Sequence, residues 1–110
     1  MIVLKSDQLC VEFQTLGGAL SSIKDKDDVE YLWQGDPTYW SGQAPVLFPI
    51  CGSVRNDTVL YDKEDGSQKE GKIPRHGLVR KKEFTLVKQT DNSVTFAIED
   101  DEEMYANYPY

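Results

Sequence analysis

The stretch "IPRHGLVR", residues 73–80, carries the side chains best suited to chemistry in this sequence. It contains His76, the only histidine, with Arg75 before it and Arg80 after it. An imidazole can exchange a proton near neutral pH, and arginine offers fixed hydrogen-bond donors with a positive charge. The pattern therefore suits an active site. A lone histidine beside a glycine is equally typical of a solvated turn, and composition alone favours the turn.

A second group of polar residues follows an apolar segment that is rich in proline and glycine. Arg55 and Asn56 come directly after "APVLFPICGSV", residues 44–54. Aromatic rings beside such donors suit a sugar, whose CH faces stack on rings while its hydroxyls need fixed polar partners. The alternatives are a surface arginine and aromatic residues that belong to the core. The aromatic residues in question are Tyr31, Trp33, Tyr39, Trp40 and Phe48.

Other kinds of site find little support in the sequence. A metal site needs three or four convergent ligands, whereas this chain has one histidine and two distant cysteines, Cys10 and Cys51. We expect both cysteines to be reduced, buried and structural. Residues 52–54 do not form the nucleophile elbow of a serine hydrolase, and no phosphate-binding or dinucleotide-binding glycine motif is present. We therefore expect neither a metal nor a cofactor.

The charge of the chain argues against two classes of partner. The formal net charge is −7, from 19 acidic against 12 basic residues, and an acidic chain repels nucleic acid and anionic lipid. The exception is a small basic patch, residues 71–82, which contains no acidic residue. The start of the chain does not match a signal peptide, and no apolar run suits a membrane span. We therefore expect a cytoplasmic protein.

The elements that must position these residues follow a period of two. With 110 residues the chain is long enough for one domain. Alternation predicts strands in "LCVEFQTL", "ALSSI", "VEYLW" and "TVLYD", and a hairpin from "KKEFTLVKQ" and "SVTFAI" across "TDN". "APVLFPI" is predicted to be buried and irregular, and "KEDGSQKEGK" to be a charged loop. Helical periodicity does not extend beyond one or two turns, which predicts an all-β antiparallel sandwich or barrel.

Several segments, taken in order, resemble one known family. They are "GGALSSIKDKDDVEYLWQGDPTYW", "APVLFPICGSVRNDTVLYD", "IPRHGLVRKKEF" and "VTFAIEDDEEMYANYPY". This ordered set is similar to the aldose 1-epimerases, or galactose mutarotases, and most similar to their LacX-type branch. The resemblance covers nearly the whole chain and implies a large antiparallel β-sandwich, the galactose mutarotase-like supersandwich. It also implies a sugar-metabolising enzyme that interconverts the α and β anomers of a hexose.

The resemblance implies that residues 1–110 are the N-terminal part of a single sandwich domain. Family members are much longer, and their general acid, a histidine, and general base, a glutamate, are expected beyond Tyr110. The alternative is a reduced relative without catalysis, but the final segment "NYPY" resembles a chain cut before its next strand and favours the fragment. The 110-residue chain alone is therefore expected to be inactive, and catalysis to belong to the complete protein.

Three residues acquire roles through the resemblance. Arg55 matches an arginine that contacts the sugar. His76 matches the histidine of the family's His-Gly motif, which hydrogen-bonds the substrate near its ring oxygen in a supporting catalytic role. Arg80 matches an arginine that helps to bind phosphate in hexose 6-phosphate mutarotases. The expected partner is thus a monosaccharide, with galactose, glucose and a hexose 6-phosphate all open. A non-catalytic carbohydrate-binding β-sandwich module and a plain interaction domain are the alternatives.

Overall fold

The computed structural model describes all 110 residues, Met1–Tyr110. They form two compact units, one of Met1–Val46 with Lys81–Ile98 and the other of Leu47–Arg80 with Glu99–Tyr110. The fold is all-β and antiparallel, as the sequence predicts, with one short helix. No helix in the chain has the length and apolar character needed to span a membrane. The elements are β1 (Ile2–Lys5), β2 (Leu9–Gln14), β3 (Ala19–Asp25), β4 (Thr58–Asp62), β5 (Gln68–Lys72), β6 (Thr85–Gln89), β7 (Val94–Ala97) and α1 (Glu102–Asn107).

The first unit contains a three-stranded sheet of order β1-β2-β3 and the β6-β7 hairpin. Val11 of β2 pairs with Leu4 on one side and with Ile23 on the other, so the alternating residues of "LCVEFQTL" lie in the central strand. The hairpin contacts this sheet through the rings of Phe13 and Phe96, whose centroids are 6.0 Å apart. The predicted strands of this unit and its hairpin are confirmed, except for "VEYLW".

The second unit is built on the β4-β5 hairpin and α1. Ile73 and Val79, at 0% and 2% exposure, are its most deeply buried side chains. Helix α1 begins after Asp101, whose carboxylate accepts a hydrogen bond from the N–H of Met104 at 2.8 Å. Such a cap satisfies a backbone donor that has no partner within the helix. Asn107, at the end of α1, accepts a bond from the N–H of Lys72 at 2.8 Å and so ties the helix to β5.

The predicted strand "VEYLW" is wrong, because a side-chain acceptor takes up some of the backbone donors there. Only one isolated bridge, between Lys24 and Glu30, is formed. The Glu30 carboxylate accepts hydrogen bonds from the N–H groups of Ile23 and Leu32 at 2.8 and 2.9 Å, and from the hydroxyl of Ser22. Backbone donors that would otherwise complete a ladder are therefore satisfied locally.

Two further sequence expectations need correction. The segment "KEDGSQKEGK" is a loop only as far as Ser67, since β5 occupies Gln68–Lys72 and pairs with β4 over its full length. A left-handed Gly66, at φ 82°, provides the turn. The irregular course of "APVLFPI" is confirmed, but it is only partly buried, with Leu47 37% and Phe48 46% exposed.

The two cysteines are free, as expected, but neither is fully buried. Cys51 is exposed and Cys10 is intermediate in exposure. Cys51 lies in the Pro/Gly-rich segment, where irregular backbone leaves it outside the regular packing of the strands. The expectation of a buried cysteine is therefore wrong for Cys51, and Cys10 is only partly buried.

The bonds to Glu30 predict a dependence of stability on pH. They lower the pKa of its carboxyl, the Ser22 hydroxyl most strongly and the N–H of Ile23 next. A carboxyl with a lowered folded pKa contributes stability that is present above its unfolded pKa of about 4.3 and is lost as pH falls through the folded value. We expect Glu30→Gln to be less stable than the parent at pH 7 and to show a shallower loss of stability between about pH 5 and 3.

Urea unfolding at a series of pH values measures this effect. Glu64→Gln is the matched control, since Glu64 is exposed in the turn between β4 and β5. It should follow the parent protein at every pH. Parallel pH curves for the parent and Glu30→Gln would contradict the prediction.

Candidate functional site

The three predicted site residues lie in the second unit, on two segments that hydrogen bonds hold side by side. These segments are residues 48–57 and residues 73–80. The N–H of Ile73 donates to the carbonyl of Asp57 at 2.8 Å, and the N–H of Leu78 donates to the carbonyl of Phe48 at 2.7 Å. The structure thus joins "FPICGSVRND" to "IPRHGLVR", which the sequence indicated only as separate groups of polar residues.

Gly77 fixes the closest approach between these segments. It forms a parallel bridge with Phe48 and has φ 88°. A Cβ atom at this position would lie 1.9 Å from the Phe48 carbonyl oxygen. Only glycine fits here, both for its conformation and for the space available. The His-Gly pair is therefore a required junction between the two segments.

His76 is held by two hydrogen bonds with one residue, Gly52. The N–H of His76 donates to the carbonyl of Gly52 at 2.7 Å, and the N–H of Gly52 donates to Nδ1 of His76 at 2.9 Å. The side chain is half-buried and its Nε2 has no hydrogen-bond partner. His76 is thus not a freely solvated turn residue, because one nitrogen of its ring, Nδ1, is hydrogen-bonded to Gly52. The other nitrogen, Nε2, remains free for a ligand.

Arg55 lies three residues after Gly52, in a 3₁₀ turn that spans Arg55–Asp57. Three Cα–Cα steps of about 3.8 Å keep its Cα within roughly 11 Å of that of Gly52. Asn56 and Asp57 have positive φ values of 54° and 50°, so the turn is sharp. The side chain of Arg55 is exposed and forms no ion pair. Its five donors are therefore available to a ligand.

Arg80 follows His76 by four residues and comes directly after the buried Val79. It is half-buried and forms no ion pair. The ion pair of Lys72 with Glu70, at 3.8 Å and largely exposed, lies just before residues 73–80 and contributes less than about 1 kcal/mol. Neither Arg55 nor Arg80 is thus engaged in an ion pair.

The aromatic residues divide between the two units. Phe48 belongs to the second unit, where its ring meets the edge of Tyr108 with centroids 5.5 Å apart. Tyr108 also contacts Tyr61 and Tyr110, so Phe48 is part of an aromatic cluster. The other four lie in the first unit and are exposed, at 66%, 42%, 80% and 57% for Tyr31, Trp33, Tyr39 and Trp40.

Sequence reasoning missed Gly52 as a member of the site. Its contribution is a backbone N–H, which carries no signal in residue type. The only available indication is that it follows an apolar Pro-rich segment, and its φ of 89° is a property of the folded chain. No group of three or more metal-ligating side chains converges anywhere in the chain.

Solved structures define the class of protein to which this fold belongs. A galactose mutarotase related enzyme from Lactobacillus acidophilus superposes with a TM-score of 0.87 and 32% identity, over 99% of this chain and 35% of that one. A galactose mutarotase-like protein from Lactobacillus casei gives a TM-score of 0.85 and 28% identity, over 100% of this chain and 36% of that one. The fold is therefore galactose mutarotase-like.

Sequence comparison then identifies the family. The family model described as Aldose 1-epimerase matches residues 1–110. The chromosomal and plasmid forms of Protein LacX from Lactococcus lactis subsp. lactis are 60% and 59% identical over 109 residues, which is 99% of this chain and 36% of each relative. This chain belongs to the aldose 1-epimerase family, and it spans about a third of the length of these relatives. The predicted resemblance and fold are confirmed.

Proposed function

We propose that residues 1–110 are the N-terminal part of one mutarotase-like β-sandwich domain, in a protein of about the length of its relatives. We propose further that this full-length protein interconverts the α and β anomers of a hexose. Membership of the aldose 1-epimerase family supports the reaction class. The observation that carries the proposal is the fixed imidazole of His76, whose free Nε2 faces no protein partner.

Anomer exchange requires the hemiacetal ring of the sugar to open. A base removes the proton of the anomeric hydroxyl, the bond from C1 to the ring oxygen breaks, and an acid protonates that oxygen. Rotation about the C1–C2 bond and closure by the reverse steps gives the other anomer. Each proton transfer needs a positioned group, and such acid–base action contributes about 10²–10⁴-fold. We assign the acid and the base to residues beyond position 110.

Within this chain we assign the supporting roles to His76 and Arg55. A donor at the ring oxygen stabilises the negative charge that grows there as the ring opens. The Nε2 atom of His76 is free to serve as that donor. Arg55 presents an unpaired guanidinium on the adjoining turn and is assigned to the sugar hydroxyls, for which its fixed geometry suits two acceptors at once.

Polarimetry of freshly dissolved α-galactose or α-glucose tests this proposal. The full-length protein is expected to accelerate the approach to the equilibrium rotation, and residues 1–110 alone to give only the buffer rate. Arg55→Ala in the full-length protein should slow the exchange, while Arg75→Ala should not, since Arg75 is an exposed arginine to which no role is assigned. Sugar binding without any exchange would instead support a non-catalytic carbohydrate-binding module.

Phosphorylated and free hexoses can be distinguished through Arg80. Its unpaired, half-buried guanidinium is assigned to the phosphate group. Arg80→Ala is therefore expected to raise the KM for a hexose 6-phosphate about tenfold or more, because one charge-assisted hydrogen bond contributes a factor of that size. The KM for the free hexose should not change. Steady-state anomer exchange with both sugars measures the effect. Equal changes for both sugars would remove Arg80 from a phosphate site.

We also propose that the protein works in the cytoplasm. Both cysteines are free thiols, and a reduced state of exposed thiols is typical of that compartment. Cell fractionation with an antibody against the protein tests this location, and recovery in an extracellular fraction would contradict it.

A further inference from the structure

The contact between His76 and Gly52 determines more than the position of the imidazole. The two residues exchange two hydrogen bonds, one between their backbones at 2.7 Å and one from the Gly52 N–H to Nδ1 at 2.9 Å. They are 24 residues apart in sequence. The ring is thus anchored to a separate segment of the chain by one of its two nitrogens.

The direction of the second bond defines the protonation pattern of the ring. A backbone N–H can only donate, so Nδ1 of His76 must be the acceptor and must carry a lone pair. A neutral imidazole has one N–H, which must then be on Nε2. An imidazolium would place a second N–H at Nδ1, facing the N–H of Gly52, and the bond would be lost.

This pattern restricts what His76 can offer to a sugar. Nε2 is a hydrogen-bond donor with no lone pair available, so it can bind the ring oxygen or the lone pair of a hydroxyl. It cannot take the proton of the anomeric hydroxyl, because a base needs a lone pair at the contacting nitrogen. His76 therefore stabilises charge on an oxygen, and the base must be a different group.

The backbone at both residues is shaped for this contact. His76 has φ 67°, a left-handed conformation that costs a non-glycine residue about 1–3 kcal/mol unless the surroundings hold it. Gly52 has φ 89°, and no atom lies within 4 Å of a Cβ placed there. Glycine is therefore required at position 52 for its conformation and not for lack of space.

We propose that Gly52 is a positioning residue, whose N–H fixes His76 in the tautomer with its proton on Nε2 and so makes His76 a donor and not a base. The inference about the imidazole stands on the geometry alone, and its consequence for the sugar rests on the proposed function. A side chain at position 52 would disturb the N–H and release the ring, with no steric conflict of its own.

Nitrogen-15 NMR of the full-length protein labelled in both histidine and glycine tests the proposal. His76 is the only histidine of residues 1–110, and its two signals are identified in the full-length protein by their absence from His76→Asn. We expect Nδ1 to be unprotonated and Nε2 protonated at pH 8, with a scalar coupling across the hydrogen bond from the Gly52 nitrogen to Nδ1. A proton on Nδ1, or a mixture of both tautomers, overturns the proposal.

Gly52→Ala provides the matched variant. We expect the coupling to disappear, the second tautomer to become visible, and kcat to fall about tenfold, the factor that one lost hydrogen bond provides. Gly66→Ala is its control, because Gly66 has a similar φ of 82°, equally open space and no contact with His76. It should leave the His76 signals unchanged. An identical response of the signals to both variants would contradict a specific role of Gly52.

The two proposals fail separately in these experiments. A fixed tautomer in a protein that does not exchange anomers would remove the proposed function and leave the role of Gly52 intact. Anomer exchange by a protein with a protonated Nδ1 would remove the role of Gly52 and leave the proposed function intact. The NMR result in the unsubstituted protein decides the tautomer even if Gly52→Ala does not fold.

Discussion

Replacing His76 with alanine in the full-length protein is expected to lower kcat for anomer exchange by about 10²–10³-fold, the loss typical for one donor to a developing oxyanion. The physical reason is that Nε2 supplies a donor where charge grows on the ring oxygen, and alanine leaves that position without one. Polarimetry under saturating sugar measures kcat directly. A rate equal to that of the parent would remove His76 from the site.

Two amide variants, each of which reproduces the position of one ring nitrogen, separate this role from a structural one. Asparagine can place an acceptor near the position of Nδ1 and tolerates the left-handed φ of 67°. We expect His76→Asn to keep the bond from Gly52 and most of the stability, yet to lose activity as alanine does. Glutamine can reach the position of Nε2 but offers no acceptor at Nδ1, so His76→Gln should retain more activity and be less stable.

Stability in these variants is measured by urea unfolding. Removing the acceptor leaves the N–H of Gly52 without its partner, which costs about 1–3 kcal/mol where water is excluded. A variant series in which activity simply follows the free energy of unfolding would contradict the donor role. It would indicate that His76 serves the fold alone.

Replacing Gly77 with alanine is expected to give the largest loss of stability of any single methyl addition to the site. A Cβ atom would lie 1.9 Å from the Phe48 carbonyl oxygen, and the φ of 88° is strained for any other residue. Backbone strain and overpacking each cost about 1–3 kcal/mol, so we expect a loss of about 2–6 kcal/mol in the free energy of unfolding. The midpoint of urea unfolding should fall accordingly.

Gly66→Ala is the matched control for this variant. It imposes a similar φ of 82° in open space, so it carries the conformational cost without the collision. That cost is about 1–2 kcal/mol. Gly77→Ala should also lose anomer exchange, because the displaced backbone carries His76 with it. Equal destabilisation by the two variants would show that the approach to Phe48 can relax freely.

The sequence predicted much of the strand content because alternation is a local property. Val11 and Phe13 lie two residues apart, and a strand puts such residues on one face wherever it is placed. The same reasoning failed at "VEYLW", although the apolar residues of this segment also alternate as they would in a strand. The carboxylate of Glu30 binds the neighbouring N–H groups of Ile23 and Leu32 there. Which acceptor reaches a given donor depends on folding, and alternation does not encode it.

The sequence by itself determined the all-β class and drew attention to Arg55, His76 and Arg80 by their types and neighbours. The tertiary structure decided that residues 48–57 lie against residues 73–80, that Gly77 touches Phe48, and that Nδ1 of His76 accepts from Gly52. The physical reason is distance along the chain. A backbone N–H has the same chemistry at every position. The N–H of Gly52 therefore belongs to the site only because the segment that carries His76, 24 residues away in sequence, packs against it.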